Sequence, residues 1–335
     1  MTDYSRSVRW LLQSEDPSIR YITLRDVAGA NIDSAEVISV KSGIPDGPKV
    51  KALLSGLGGT GRDEVHPYRK WTGDHWRLVS LVNLEVPLHT ARVSEAAHRT
   101  LGWLYKALSN RNLARKNGLA RMHASVYGNG LGVWSRLGLA HDPRVEFVAR
   151  RVISAQWPDG GWNCDPDPKA YHSSFHESLA TLWGLTEYQK ATGSGEAAES
   201  VRKASELFLS HRIFRSHTTG EIARKEWLKL RYPVYWHFNF LEAMRILSLA
   251  GHGNDERMSQ SLDLLESKCN PDGMWEVEGC FWRPLDNGSL DLRGLRGSTE
   301  VVDWGRRGPN EMITLNALRA LKSAGRLRTH FSEFS

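Results

Sequence analysis

Asp142 to Trp162 reads DPRVEFVARRVISAQWPDGGW, and Asp255 to Trp275 reads DERMSQSLDLLESKCNPDGMW. The two stretches align without gaps. They share Asp, Arg, Ser, Pro-Asp-Gly and Trp at a displacement of 113 residues, from Asp142 to Asp255. Self-similarity at a fixed period marks a repeat architecture, and a period of this size holds two helical hairpins of about 56 residues each. In the first copy Val145, Val148, Val152 and Ile153 recur at helical spacing and give one apolar face. Pro143 suits the first position of that helix. Pro158-Asp159-Gly160 is a turn signal that stops it, and the following Trp162 is expected to pack back on the turn.

Applied to the whole chain, this template gives an outer set of helices near 5–13, 47–56, 92–108, 143–156, 195–211 and 255–268. An inner set falls near 18–29, 72–85, 120–137, 172–189, 233–250 and 308–323. The inner set is more apolar around its circumference, as at Leu241, Met244, Ile246, Leu247 and Leu249, which predicts burial. Six alternations of outer and inner helix close a ring. The expected fold is therefore all-α, an (α/α)6 toroid of about twelve helices forming one domain over 1–335, with a central cavity.

Gln156-Trp157-Pro158-Asp159-Gly160-Gly161-Trp162 resembles the Q-x-x-x-G-x-W repeat of squalene and hopene cyclases, and the second copy keeps Asp272, Gly273 and Trp275. Tyr232-Pro233-Val234-Tyr235-Trp236-His237-Phe238 is similar to the P-x-x-W-H-[YF] stretch of squalene-cyclase-like bacterial proteins of this size. The chain resembles one toroid of the terpenoid cyclase and protein prenyltransferase superfamily. That resemblance implies the fold and an apolar, isoprenoid-type substrate. It departs from the family at two points. The nearest string to the D-x-D-D acid motif of class II cyclases is Asp165-Pro166-Asp167-Pro168, and no Asp-x-Cys pair of the prenyltransferase zinc site opens an inner helix.

Composition narrows the function classes. Net charge is +6, from 44 basic and 38 acidic residues without a dense basic run, so nucleic acid is not an expected partner. No apolar stretch reaches the length of a membrane span, and the N-terminal residues lack the order of a signal peptide. Cys164, Cys269 and Cys280 are too few for a disulfide framework, and a cytoplasmic location is expected. Thirteen tryptophans supply core packing and the walls of a pocket.

Inner helices of such a ring are parallel, so their first turns meet at one mouth. Those turns carry Asp74 and Trp76; His123 and Tyr127; His172, His176 and Glu177; Tyr235, Trp236 and His237; and Asn310 with Glu311. Caps and helix-dipole partners explain part of this set. A substrate pocket explains the concentration of His, Trp, Tyr and acid. Asp74, His176, Glu177 and His237 are the candidates for proton transfer, and the remaining residues for substrate binding. His172 and His176, spaced four apart, could hold a metal if His123, His237 or Glu177 converged, but no tightly bound metal and no cofactor is expected. Arg69, Arg121, Arg231 and Arg307 precede inner helices, where an anionic ligand group would suit them. The sequence thus points to an enzyme acting by proton transfer on a small, largely apolar, isoprenoid or anionic substrate. Alternatives are a toroid that binds a lipid or protein without catalysis, and a carbohydrate-active enzyme built on two carboxylates such as Asp74 with Glu177 or Glu311.

Overall fold

The computed structural model describes residues 3–58, 65–87, 90–110, 112–284 and 298–327, and these are mostly helical. The first three helices are α1 (Ser5–Leu12), α2 (Pro17–Ile22), which runs on into a π-helical turn over Thr23–Ala28, and α3 (Ala35–Ser42). Next come α4 (Pro48–Leu54), α5 (Asp74–Asn83), α6 (Ala91–Ser109), α7 (Ala124–Arg136), α8 (Pro143–Ser154) and α9 (Phe175–Thr192). The chain continues with α10 (Gly195–Ser210), α11 (Phe240–Leu249), α12 (Ser259–Ser267) and α13 (Glu311–Ser323). Strand among the described residues is confined to two short pairs. The hairpin β1 (Ala114–Lys116) and β2 (Leu119–Arg121) is antiparallel, while β3 (Arg283–Pro284) and β4 (Thr299–Glu300) are parallel. No described helix is long and apolar enough to cross a membrane.

The 113-residue displacement is physical as well as textual. Asp142 caps α8 by accepting the Arg144 N–H at 2.8 Å, and Asp255 accepts the Arg257 N–H at 2.9 Å. The Trp162 indole donates to the Val152 carbonyl at 2.8 Å, and the Trp275 indole to the Leu265 carbonyl at 2.7 Å. Each ring thus folds back on the helix before it, as the turn signal predicts. The backbone N–H of each tryptophan reaches forward to the next inner helix, Trp162 to Ser178 Oγ at 3.0 Å and Trp275 to Thr314 Oγ1 at 3.1 Å. Both rings are fully buried. Each removes on the order of 200 Å² of surface from water, roughly 5 kcal/mol of gross transfer free energy. Gln156 adds a third tie in the first copy, donating to the carbonyls of Gly160 at 2.7 Å and Ser200 at 2.9 Å.

The expected helices are present, several of them starting later than expected, with one addition. The third inner helix begins at Ala124 and not at 120, because Leu119–Arg121 is strand. The fourth begins at Phe175 and not at 172: the Ser174 hydroxyl caps it by accepting the Glu177 N–H. The fifth begins at Phe240, where the Asn239 side chain accepts the Glu242 N–H at 2.8 Å. Pro233 and a left-handed Tyr235 (φ 53°), in a turn closed by the His237 N–H on the Val234 carbonyl at 2.8 Å, make the preceding segment a non-helical strap. Two corrections follow. His172 lies in the loop before α9, so it shares no helix face with His176. Tyr235, Trp236 and His237 stand on the strap and not on the first turn of α11. The helix over Ala35–Ser42, capped by Ser34, is additional.

Helices α5, α7, α9, α11 and α13 each contribute side chains to one internal cavity of about 40 Å³. Within that set α7 packs on α5 and α9, α11 on α9 and α13, and α13 returns to α1, α2 and the π-helical turn. The tightest junction joins α7 and α9. A Cβ placed on Gly184 would lie 2.0 Å from the carbonyl oxygen of Gly128, and one on Gly128 would lie 2.4 Å from Thr181 Cα. Both obstacles are backbone, which cannot rotate aside, so overpacking costs roughly 1–3 kcal/mol or more there. Gly184→Ala is therefore expected to lower the thermal midpoint by several degrees. Gly195→Ala, in the first turn of α10 with nothing within 4 Å, is expected to leave it unchanged or raise it. Equal midpoints for the two variants in thermal denaturation would refute the close-contact account.

Candidate functional site

The helices that border the cavity run in the same direction. At one end Ser125 N–H, at the start of α7, donates to Glu177 Oε2 in the first turn of α9 at 2.9 Å. Phe238 N–H, just before α11, donates to His176 Nδ1 at 3.0 Å. At the other end Arg136, the last residue of α7, pairs with Glu85 past α5 at 2.7 Å, and Arg319 of α13 pairs with Asp26 at 3.0 Å. Helix N-termini and C-termini therefore collect on opposite sides of the cavity.

Two histidines at the N-terminal layer are locked in complementary tautomers. His237 Nδ1 lies 3.1 Å from the Val234 carbonyl, which can only accept, so Nδ1 carries the proton and Nε2 is a base. His176 Nδ1 receives a backbone N–H, so its proton sits on Nε2 and that nitrogen is a donor. The ring centroids are 6.3 Å apart. Burial lowers the pKa of both and takes His237 down to about 4, so both imidazoles are neutral at physiological pH. His237 is sandwiched between Phe281 at 3.7 Å and Trp236 at 4.0 Å and borders the cavity. Trp227 faces His176 edge-on, and the Lys70 ammonium lies 4.9 Å from the Trp236 ring centre.

Glu177 is buried and His123 exposed, with Nδ1 to Oε1 at 3.7 Å. Hydrogen bonds to Cys164 and Glu177 push His123 up to about 10 against partial desolvation. Burial opposes ionisation of Glu177, but hydrogen bonds from His123, the Ser125 N–H and Cys164 outweigh it and bring the carboxyl below its usual 4.5. The pair is an imidazolium–carboxylate pair at neutral pH.

Other expected members stand elsewhere. Asp74 accepts from Arg99 of α6 at 3.0 Å and from the Gly58 N–H at 3.1 Å, which ties it to neighbouring structure rather than to the histidines. Glu311 pairs with Lys49 at 3.0 Å, and Asn310 caps α13. Trp76 is fully buried, donates to the Tyr68 carbonyl at 3.0 Å and packs edge-on against Trp71 and Tyr235. Tyr127 is half-buried on α7, and His172 is exposed beside Tyr171. Of the arginines, Arg121 donates to the carbonyls of Asp167 and Ala170, Arg231 pairs with Glu226 and lies over the Phe281 ring, Arg69 is half-buried, and Arg307 is exposed. Arg121 and Arg231 are thus already engaged by the protein.

The sequence reading missed Cys164, Trp71, Phe281 and Glu300. Trp71 stacks on Tyr235 at 3.7 Å, and the Tyr235 hydroxyl donates to the buried Glu300, whose other oxygen accepts the Val301 N–H at 2.7 Å. Burial raises the pKa of Glu300 and of Tyr235 alike. Cys164 had a signal, its place two residues beyond the repeat tryptophan. The others come from segments distant along the chain and had none.

Stability from the His123–Glu177 pair has a defined pH window. The raised histidine contributes fully below its usual 6.5 and loses its contribution as pH rises through about 10; the lowered carboxylate contributes above 4.5 and loses it in acid. Glu177→Gln, which keeps an acceptor for Ser125, is expected to bring the His123 midpoint down towards 6.5 in an NMR titration of the ring. A midpoint unmoved by that substitution would sink the ion-pair assignment.

No family of known proteins, no curated protein and no solved structure matches this chain.

Proposed function

We propose that the helices close into an α/α toroid of the terpenoid cyclase and prenyltransferase type. On this reading the chain is an enzyme that transfers a proton to or from a small, largely apolar substrate at the mouth where the inner helices begin. The observation that carries the reading is the pair of neutral histidines with opposite tautomers, one donor and one acceptor, set in aromatic walls. General acid–base work needs a donor and an acceptor held in place before substrate arrives. Backbone groups fix both rings here, so the cost of orienting them is met in folding. Aromatic faces accept apolar substrate surface and stabilise developing positive charge. Support for the toroid comes from the alternation of outer and inner helices, interrupted by α3 alone among the described helices, and from the return of α13 to α1 and α2.

Cavity size limits the substrate. At roughly 10–15 Å³ per water, the 40 Å³ cavity takes about three waters or one small substituent. A long isoprenoid chain would have to lie at the mouth, with only its reacting end inside. The two-carboxylate reading for sugars loses its partners, since Asp74 is held by Arg99 and Glu311 by Lys49.

The test is a screen of small isoprenoid alcohols, olefins and their diphosphates for turnover and for solvent deuterium incorporation. With the substrate found, His237→Ala and His176→Ala are each expected to lower kcat by about 10²–10⁴-fold, with thermal midpoints within a few degrees of the parent. Full activity in both folded variants would overturn the assignment.

A further inference from the structure

A thiol, an imidazole and a buried carboxylate converge beside the histidine pair. His123, Cys164 and Glu177 each present one donor atom, and the three atoms lie within 4.8 Å of one another. They come from three separate elements: the N-cap of α7, the loop two residues past Trp162, and the first turn of α9. This set is not the His172/His176 pair weighed from the sequence, which is not formed.

The geometry suits a tetrahedral ion. Zinc bonds of about 2.0–2.1 Å to nitrogen and oxygen imply a ligand–ligand edge of roughly 3.4 Å. His123 Nδ1 and Glu177 Oε1 stand 3.7 Å apart, so a few tenths of an ångström of closure is enough. The exposed His123 ring, at 74%, has room to make that adjustment. Glu177 is already oriented: its Oε2 accepts the Ser125 N–H at 2.9 Å, leaving Oε1 turned towards His123. Outer hydrogen bonds of this kind fix ligating carboxylates in metal sites. One thiolate, one imidazole and one carboxylate favour a borderline-soft ion such as zinc over magnesium or calcium, which prefer oxygen alone. Three protein ligands leave a fourth position open, the pattern of catalytic rather than structural zinc.

We propose that His123, Cys164 and Glu177 form a three-ligand site for a zinc-class divalent metal, with its fourth position open. This rests on the proton-transfer reading for its use: a water on a metal held by Glu177, the chain neighbour of His176, would supply an acid or a nucleophile at neutral pH.

The test is direct metal titration of the full chain, without a polyhistidine tag, after treatment with a chelator. Co²⁺ is the probe. Saturation at one equivalent with a thiolate-to-cobalt charge-transfer band, bleached by Zn²⁺, is expected. Cys164→Ser should remove the band, and His123→Ala and Glu177→Gln should each weaken Zn²⁺ binding at least tenfold. His237→Ala should bind as the parent does. If Glu177→Gln unfolds, the exposed His123→Ala still decides the matter. Absence of stoichiometric binding in the folded parent, or an unchanged band in Cys164→Ser, would overturn the site. Because the titration needs no substrate, its failure leaves the His176–His237 reading to stand or fall by its own kinetics.

Discussion

The backbone contact between α7 and α9 governs the site. Gly128 and Gly184 have no Cβ, and the carbonyl of one reaches the position a side chain of the other would occupy. Only at this separation does Glu177, in the first turn of α9, reach the free N–H of Ser125 at the start of α7. Glu177 is therefore a cap for its neighbour and not for its own helix, which Ser174 caps. That role explains how a carboxylate can be both buried and ionised: desolvation opposes the charge, but a backbone donor, the positive end of α7 and His123 compensate for it. Cys164 joins the group because Trp162, two residues earlier, is pinned to Val152 behind it and Ser178 ahead of it.

Parallel helices separate charge, and the two ends of the cavity answer that separation differently. At the C-terminal end Arg25, Arg136 and Arg319 interlace with Asp26, Glu85 and Glu187. Cations near helix C-termini are favourable, and each guanidinium there meets a carboxylate, so few buried charges go without a partner. Glu85, between two arginines, is held down to about 2. That end is a salt-bridged floor. At the N-terminal end His176 and His237 are kept neutral by burial, Glu177 faces the Ser125 N–H and His123, and aromatic rings pack around the two neutral imidazoles.

The strap before α11 does for the histidines what the glycines do for Glu177. Tyr235 adopts a left-handed conformation that is costly outside glycine. It is held there by stacking on Trp71 and by donating to Glu300. The next two residues, Trp236 and His237, are thereby presented to the mouth, and the Val234 carbonyl and Phe238 N–H set the two imidazole tautomers. Preorganised polar groups on an apolar wall are what an active site requires.

Much of the fold was legible in the residues. The Asp-to-Trp repeat carries its own caps, turns and back-folded tryptophans, all local interactions, so the sequence determined the outer and inner helices and their order. Helix starts at 120, 172 and 233 were read too early because strand pairing at Leu119–Arg121, the Ser174 cap and the Pro233 strap compete locally with an apolar pattern that still looks helical. Residue type and position also singled out Glu177, His176, His237 and His123, although caps and helix-dipole partners call for the same residue types at helix starts. What sequence could not determine was which of them meet. Asp74 and Glu311 look equivalent to Glu177 on paper, yet Arg99 and Lys49 claim them. The partner that completes the cluster, Cys164, sits 41 positions from His123 and 13 from Glu177 along the chain. Only tertiary structure decided this, because side-chain range is a few ångströms and it is the glycine-sized gap between two helices that sets which groups come within it.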